Sequence, residues 1–334
     1  MKQYDLYGIG NALVDKEFVI DDNFLTSHGI DKGLMTLVDA GPQQHLIDEL
    51  TTRFGLQKRA SGGSAANSMI AAANFGGHCY YACKVGADEP GDFYLHDLAQ
   101  ARVANNTNGS RTADSITGRC VVMVTPDAER TMLSHLGISS SLSTSDLDFD
   151  ALRSSKYLYL EGYLVTSEST RQAAIHAREF AEQNGVKTSL TFSDPNMVTH
   201  FRPGIEAMLG AGVDMLFCNA EEARLFSGHD DIEAAARTLR DCAHQFAVTC
   251  GAQGALVWDG RQLHRIDSVQ VQAVDTNGAG DMFAGAFLYA LTQGQSIQQA
   301  GKLASLSAAT LVTEYGPRLT TAVQRRLLEQ ATAL

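Results

Sequence analysis

The run Asp275-Thr276-Asn277-Gly278-Ala279-Gly280-Asp281 combines two chemical tools. Its small residues let the backbone touch the oxygens of an anion. It leads into a helix-like stretch, residues 282–293. The free N–H groups and partial positive charge at such a helix start attract an anion. Asp281 then lies beside that anion, where a carboxylate can accept a proton from a hydroxyl. A phosphate held next to a base is the core of a phosphoryl-transfer site. A glycine-rich turn closed by a capping Asp is the structural alternative.

Two other segments carry related chemistry. Gly62-Gly63-Ser64-Ala65-Ala66-Asn67 sets two glycines before a helix of small residues. This suits close approach of backbone to a polar ligand, with Asn67 hydrogen-bonding it. Tight helix–sheet packing accounts for the same glycines. Gly10-Asn11-Ala12-Leu13-Val14-Asp15 follows the first strand-like run. Ligands of parallel sheets bind beyond the carboxyl ends of strands, which makes Asn11 and Asp15 candidates for holding sugar hydroxyls. A turn-forming Asn and a surface Asp are the alternatives. Other chemistries lack their motifs. There is no Walker-type phosphate loop, no His-Glu-x-x-His and no Gly-x-Ser-x-Gly. Leu13 stands where a dinucleotide fingerprint needs its third small residue, which disfavours a nicotinamide-dependent oxidoreductase.

The elements that must position these segments alternate along the chain. Residues 4–10, 80–85, 157–160, 188–192, 215–218 and 246–249 read as buried strands. Residues 42–52, 65–75, 92–101, 169–183, 221–226 and 232–244 read as helices, with Pro42 at a first helical position and Gly76-Gly77 as a stop. This rhythm predicts one α/β domain over residues 1–334, with a mainly parallel sheet covered by helices on both faces. Residues 15–38 and 115–134 break the rhythm and predict a small, discontinuous β-sheet lid. Within it, 117–124 and 130–134 flank a 126–129 turn as a hairpin. An edge extension of the main sheet is the alternative. Residues 256–258 and 263–266 form a second hairpin around Asp259-Gly260, and 139–145 is a serine-rich connector.

The 334 residues are 44% hydrophobic and 19% charged, which suits a globular chain with a sizeable core. A formal net charge of −12 without a basic segment argues against nucleic-acid and anionic-membrane partners. No apolar run reaches the ~20 residues of a membrane helix, and the N-terminus lacks a signal-peptide layout. The six cysteines form no Cys-x-x-Cys pair, so reduced, mostly buried thiols in a cytoplasm are expected. His78, Cys79 and Cys83 read as part of a buried strand, with a metal site as the weaker reading.

Taken together, the three segments resemble the ribokinase-like carbohydrate kinases, the PfkB family. The likeness runs from Gly10-Asn11 to Gly316. Asp275 to Asp281 meets the family's Asp-Thr-x-Gly-Ala-Gly-Asp signature, and Gly62, Gly63 and Asn67 meet its Gly-Gly-x-x-x-Asn. The resemblance implies Asp281 as the base and Gly278, Ala279 and Gly280 as the anion hole. It implies Asn11, Asp15, Gly62, Gly63 and Asn67 around the substrate hydroxyls. Asn219-Ala220-Glu221-Glu222 matches the family's Asn-x-x-Glu. That makes Asn219 a phosphate-side residue and Glu222, rather than Glu221, a water-mediated Mg²⁺ anchor. Thr249, Gly251 and Gly254 match its nucleotide-side turn, and Ser305 stands where many members have an Asn against adenine. Asp275, Asn277 and Gly316 match the region of a monovalent cation such as K⁺. The segments 8–15, 160–163 and 315–318 are similar to the adenosine-kinase-like branch, and Asp194-Pro195-Asn196 recurs among sugar kinases.

The expected reaction is ATP-dependent phosphorylation of a primary hydroxymethyl, on an adenosine-like ribonucleoside or on a free sugar such as ribose or fructose. A non-catalytic ligand-binding protein on the same fold is the competing class. Phe18, Leu34, Met35, Leu37 and Met123 are candidates for a base slot and equally for the lid core. An exposed lid edge would also suit pairing with a second chain as a homodimer.

Overall fold

The computed structural model describes residues 2–107, 111, 114–127 and 129–332. Met1, Ala128 of the expected 126–129 turn, and residues 333–334 lie outside the described residues. The strands are β1 (Tyr4–Ile9), β2 (Leu13–Val19), β3 (Met35–Leu37), β4 (Lys58–Gly62), β5 (Cys79–Ala82), β6 (Ala104–Asn105), β7 (Gly118–Val124), β8 (Arg130–His135), β9 (Ser155–Glu161), β10 (Lys187–Thr191), β11 (Val213–Asn219), β12 (Ala243–Thr249), β13 (Ala255–Trp258) and β14 (Leu263–Ile266). The helices are α1 (Asp22–His28), α2 (Ala40–Arg53), α3 (Ser64–Phe75), α4 (Glu89–Gln100), α5 (Phe149–Arg153), α6 (Glu168–Gln183), α7 (Pro195–Leu209), α8 (Ala220–Ser227), α9 (Ile232–Thr238), α10 (Ala279–Thr292), α11 (Ile297–Leu311) and α12 (Thr321–Thr332).

The large sheet has the order β14-β13-β12-β11-β10-β9-β1-β5-β6. It is parallel from β12 to β6, and the β13–β14 hairpin adds two antiparallel strands at one edge. Alternate strand residues feed two cores. Leu6, Tyr81 and Tyr159 pack under α3, α10 and α11. Tyr7, Tyr80 and Leu158 pack under α5, α6 and α7. The expected mainly parallel sheet with helices on both faces is thus present. The strand order reverses at β1, which lies between β9 and β5. Crevices at such reversals open at the carboxyl ends of the strands.

A second sheet, β3-β8-β7-β2-β4, is separate from the first. Its β7 alternates cleanly: Val121 and Met123 face α1 and α2 with Phe18, Phe24 and Leu50, while Cys120, Val122 and Val124 face the other way. The 118–124/130–135 hairpin matches expectation. Two parts of this region differ from it. Residues 22–28 form a helix closed by an Asp21 N-cap and Gly29 in the left-handed region, inside the 15–38 stretch expected as part of the β lid. The polar strand β4 joins from outside both expected segments and pairs with β2.

Other boundaries differ for physical reasons. Helix α2 starts at Ala40, so Pro42 is its third residue. The expected helix 232–244 ends at Thr238 and passes through a tight turn into β12, where Ala243, Phe246 and Val248 are buried strand residues. Helix α10 begins three residues before the expected start, so Ala279 and Gly280 are already helical.

Helix α10 is buried from Met282 to Tyr289 on all sides, wedged between α3 and α11. Gly285 permits this: an added Cβ there would sit 2.4 Å from the Ser68 carbonyl oxygen of α3. Gly285→Val should therefore push α3 and α10 apart and lower the unfolding free energy by about 1–3 kcal/mol. Denaturant unfolding checks this; an unchanged midpoint would mean that the two helices have room to spare.

Candidate active site

The N-termini of α3 and α10 point at one place, and Asp281 joins them. Asp281 is the third residue of α10. Its Oδ1 accepts from Ser64 Oγ at 2.6 Å and its Oδ2 from Asn67 Nδ2 at 2.9 Å. Burial pushes its carboxyl above the ordinary range, while the hydroxyl, the amide, Arg130 and Arg318 pull the other way. Gly278 caps α10 at φ 75°, and a Cβ there would lie 2.6 Å from the Pro317 carbonyl oxygen. Only glycine combines that conformation with that contact. N–H groups at a helix start suit an anion; here Ala279 N already donates to the Thr276 carbonyl at 3.2 Å and Met282 N to the Gly278 carbonyl at 2.8 Å.

A cleft opens on one side of this turn, between the second sheet and the carboxyl ends of β1 and β9. Its polar lining includes Asn11, Asp15, Gly63, Asn67, Asn277 and Asp281. Met35, Leu37, Met132 and Leu136 add apolar surface. Gly62 lies beneath Asp15, where a Cβ would meet the carboxylate at 2.0 Å. Asp15 accepts no hydrogen bond from the described residues. Burial raises its pKa to about 7 against the pull of Arg318. Two buried donors in the same wall, Asn11 Nδ2 and Asn277 Nδ2, have no protein partner. Orphan donors beside an empty carboxylate are what a polar ligand would satisfy.

Glu161 holds this wall together. It ends β9 and is fully buried. Its Oε1 accepts from Asn11 N at 2.6 Å and its Oε2 from Ala65 N at 2.8 Å. One carboxylate thus ties the β1–β2 turn to the start of α3. Burial lifts its pKa to about 7 in spite of those donors. Ser139 closes the same turn, accepting from Ala12 N at 2.9 Å and donating to Asn11 Oδ1 at 3.2 Å.

A second cleft opens on the other side of the α10 turn. Asn219, Thr249, Gly251, Gly254 and Ser305 all line it, together with Ala279 and Gly280. Asn219 caps α8 and is locked to Glu222. Glu222 N donates to Asn219 Oδ1 at 2.8 Å, and Asn219 N and Nδ2 donate to the Glu222 carboxylate, each at 2.9 Å. Glu222 is buried behind Asn219 and pushed up to about 8 by burial, whereas Glu221 is exposed. The charges of Asp194 and Glu221 also raise Glu222, while Arg130 pulls the other way. No group of three or more His, Cys, Asp or Glu among the described residues is set to hold a metal directly.

Asp275 is fully buried under the loop, accepting from Asn277 N at 2.8 Å and Gly316 N at 2.7 Å. Asp275, Asn277 and Gly316 therefore do come together. Beside them, Glu17 is buried with one oxygen unpartnered, and its pKa rises to about 7 through burial and the Asp275 charge.

Of the apolar candidates, Met35 and Leu37 line the first cleft. Phe18 and Met123 lie in the second sheet's own core, and Leu34 lines neither cleft. Asp194 caps α7, and Asn196 Nδ2 donates to the Met35 carbonyl at 3.4 Å, so that motif braces the cleft wall from behind. Arg130 was not anticipated. It reaches from β8 to donate to Asn277 Oδ1 at 2.7 Å, across 147 residues of sequence. Glu161 had one local signal, a carboxylate ending an apolar strand just before a glycine. His78, Cys79 and Cys83 form no metal group, and all six cysteines are free thiols, four of them buried. No described helix is long and apolar enough to cross a membrane.

The two clefts meet at the first turn of α10, with Asp281 lining one and Ala279 and Gly280 the other. The chain belongs to the pfkB family of carbohydrate kinases, whose model matches residues 35–323. It is 35% identical to the adenosine kinase from Sinorhizobium meliloti, whose crystal structure matches with a TM-score of 0.92 over 98% of this chain and 99% of that one. It is 34% identical to a probable sugar kinase from Rhizobium etli CFN 42, with a TM-score of 0.93 over 100% of both chains. Adenosine kinase 2 of Arabidopsis thaliana is 27% identical over 337 residues, 93% of this chain and 94% of that protein. The chain is thus an ATP-dependent sugar or nucleoside kinase.

The buried carboxyls give this site a pH signature. Asp15 binds its proton more tightly folded, at about 7, than at its ordinary value of 3.8. Its contribution to stability is full below about pH 4 and is lost as the pH rises through about 7. Asp15→Asn in the ligand-free protein should flatten the fall in unfolding free energy between pH 4 and 7 by on the order of 2–4 kcal/mol. Denaturant unfolding at several pH values checks this; an identical slope would mean that Asp15 is ionised and solvated.

Proposed function

We propose that the chain transfers the γ-phosphoryl group of ATP to the primary hydroxymethyl of an adenosine-like ribonucleoside. The observation that carries the reading is the shared wall. Asp281 faces the first cleft, and Ala279 and Gly280 of the same helical turn face the second. A hydroxyl in one cleft and a triphosphate in the other would meet at that turn.

In the proposed reaction Asp281 takes the hydroxyl proton as the hydroxyl oxygen forms its bond to the γ-phosphorus. The bond from that phosphorus to the bridging oxygen breaks, and ADP leaves. The N–H groups of Gly278, Ala279 and Gly280 offset the charge that develops on the transferred group. Arg130, held at Asn277, adds positive charge from the second sheet. Asn11, Asp15, Gly63 and Asn67 orient the sugar hydroxyls. The apolar part of the lining favours a nucleoside over a free sugar, because Met35, Leu37, Met132 and Leu136 offer surface that a base can cover. Similarity to adenosine kinases supports the same choice. The second sheet acts as a lid that excludes water from the transfer.

Two ions belong to the proposal. Mg²⁺ arriving with ATP would be held through water by Glu222 and Asn219, and it would neutralise phosphate charge. The carboxylates of Asp194 and Glu221 near Glu222 suit such a cation. K⁺ would sit beside Asp275, Asn277 and Gly316, where buried Asp275 and the orphan oxygen of Glu17 fit added positive charge. Pairing of two chains through the second sheet would have to use its edge strands, β3 or β4. Sedimentation equilibrium decides that point.

A coupled ADP-release assay tests the whole reading. Adenosine should be turned over far better than ribose or fructose. Omitting Mg²⁺, or replacing K⁺ with tetramethylammonium, should lower turnover. Asp281→Asn should cut kcat by about 10²–10⁴-fold while ATP binding, read by calorimetry, persists. Unchanged turnover in Asp281→Asn would remove Asp281 as the base, and a preference for free sugars would remove the nucleoside.

A further inference from the structure

We infer that Arg318 is a positioning residue for Asp281, acting through the side-chain amide of Asn67. The inference rests on the reading of Asp281 as the base. Arg318 follows Pro317, which packs on Gly278, and its side chain is only 15% exposed. Its Nε donates to Asn67 Oδ1 at 3.0 Å. Its Nη1 donates to Asp97 Oδ2 at 2.5 Å, and its Nη2 donates to the Ser61 carbonyl oxygen and, at 3.0 Å, to Ser61 Oγ. One guanidinium is therefore gripped at once by β4, α4 and α3.

The consequence follows from what each group can do. A guanidinium only donates hydrogen bonds and keeps its proton. An ionised carboxylate only accepts. Asn67 stands between the two, and a single orientation of its amide satisfies both. Oδ1 faces Arg318, and Nδ2 faces Asp281 Oδ2 at 2.9 Å. The flipped amide would set N–H against N–H on one side and oxygen against carboxylate oxygen on the other. Arg318 thereby decides which atom of Asn67 meets Asp281 without touching Asp281 itself. With Ser64 on Oδ1 and Asn67 on Oδ2, the carboxylate plane is set. The lone pairs left over are those a hydroxyl in the cleft can reach. The charge of Arg318 also favours the ionised forms of Asp281 and Asp15.

A double-mutant cycle tests this, with Arg318→Met, Asn67→Ala and the pair measured at saturating ATP and nucleoside. Arg318→Met should lower kcat by about 10–100-fold, a share of what a general base supplies, and leave KM for ATP unchanged. The acid limb of its kcat/KM profile should move to higher pH. In the Asn67→Ala background the same change should have less than about a twofold further effect on kcat, because its partner is gone. Arg318→Lys keeps the charge and loses the fork. It should hold the acid limb in place yet still lose kcat, and it carries the test should Arg318→Met fail to fold. Wild-type kcat in folded Arg318→Met or in Arg318→Lys would overturn the inference. So would effects of Arg318→Met and Asn67→Ala that simply multiply. Those results leave the base assignment standing, whereas undiminished turnover in Asp281→Asn would remove both.

Discussion

The paired hydrogen bonds from Ser64 and Asn67 to Asp281 are the constraint on which the rest of the architecture depends. A carboxylate withdrawn from water needs donors, or it neutralises instead. These donors come from a helix more than two hundred residues away in sequence, so α3 and α10 must lie close together with their N-termini level. The close approach is made by small residues: Gly285 sits against the Ser68 carbonyl and Ala71. Burial of α10 on all sides then fixes its first turn as a rigid wall between two clefts.

Glu161 does for the sheet what Asp281 does for the helices. At the point where strand order reverses, it stitches the end of β1 to the start of α3 with two backbone hydrogen bonds. The close contact also explains Gly10, where a Cβ would lie 2.3 Å from a Glu161 oxygen. The second sheet grows out of the same stitched region, because β2 follows Asn11 and β4 runs into Gly63. Any movement of that sheet relative to the large one would pivot on residues that also line the first cleft. In the proposed reaction, ligand grip and closure of the lid would therefore be coupled through a few residues.

Much of this was legible in the sequence, for identifiable reasons. Parallel strands buried on both faces leave uninterrupted apolar runs, so 157–160, 215–218 and 246–249 stood out. The glycine-rich turns stood out because helix starts that approach a neighbour need small residues. Strand β4 did not, because Lys58, Arg59 and Ser61 give an edge strand the look of a loop. Helix α1 is only seven residues long, and its Asp21 cap and Gly29 stop lie between the strand segments β2 and β3. Helix α7 carries an internal Pro203 and a kink at Phe201, which hide its period. Partners such as Arg130 with Asn277, and Arg318 with Asn67, join residues 147 and 251 positions apart. No local pattern encodes such pairs; only the packed sheets bring them together.

In the proposed reaction the phosphoryl group passes directly between the two clefts, with Asp281 moving a proton and never carrying the phosphoryl group. The stereochemical course at phosphorus distinguishes this from a two-step route. The measurement uses ATP made chiral at the γ-phosphorus with oxygen isotopes and sulfur, and adenosine as the acceptor. A single in-line displacement predicts inversion of configuration in the product. Retention would require two displacements through a phosphorylated side chain. It would contradict both the direct transfer and the role of Asp281 as the base.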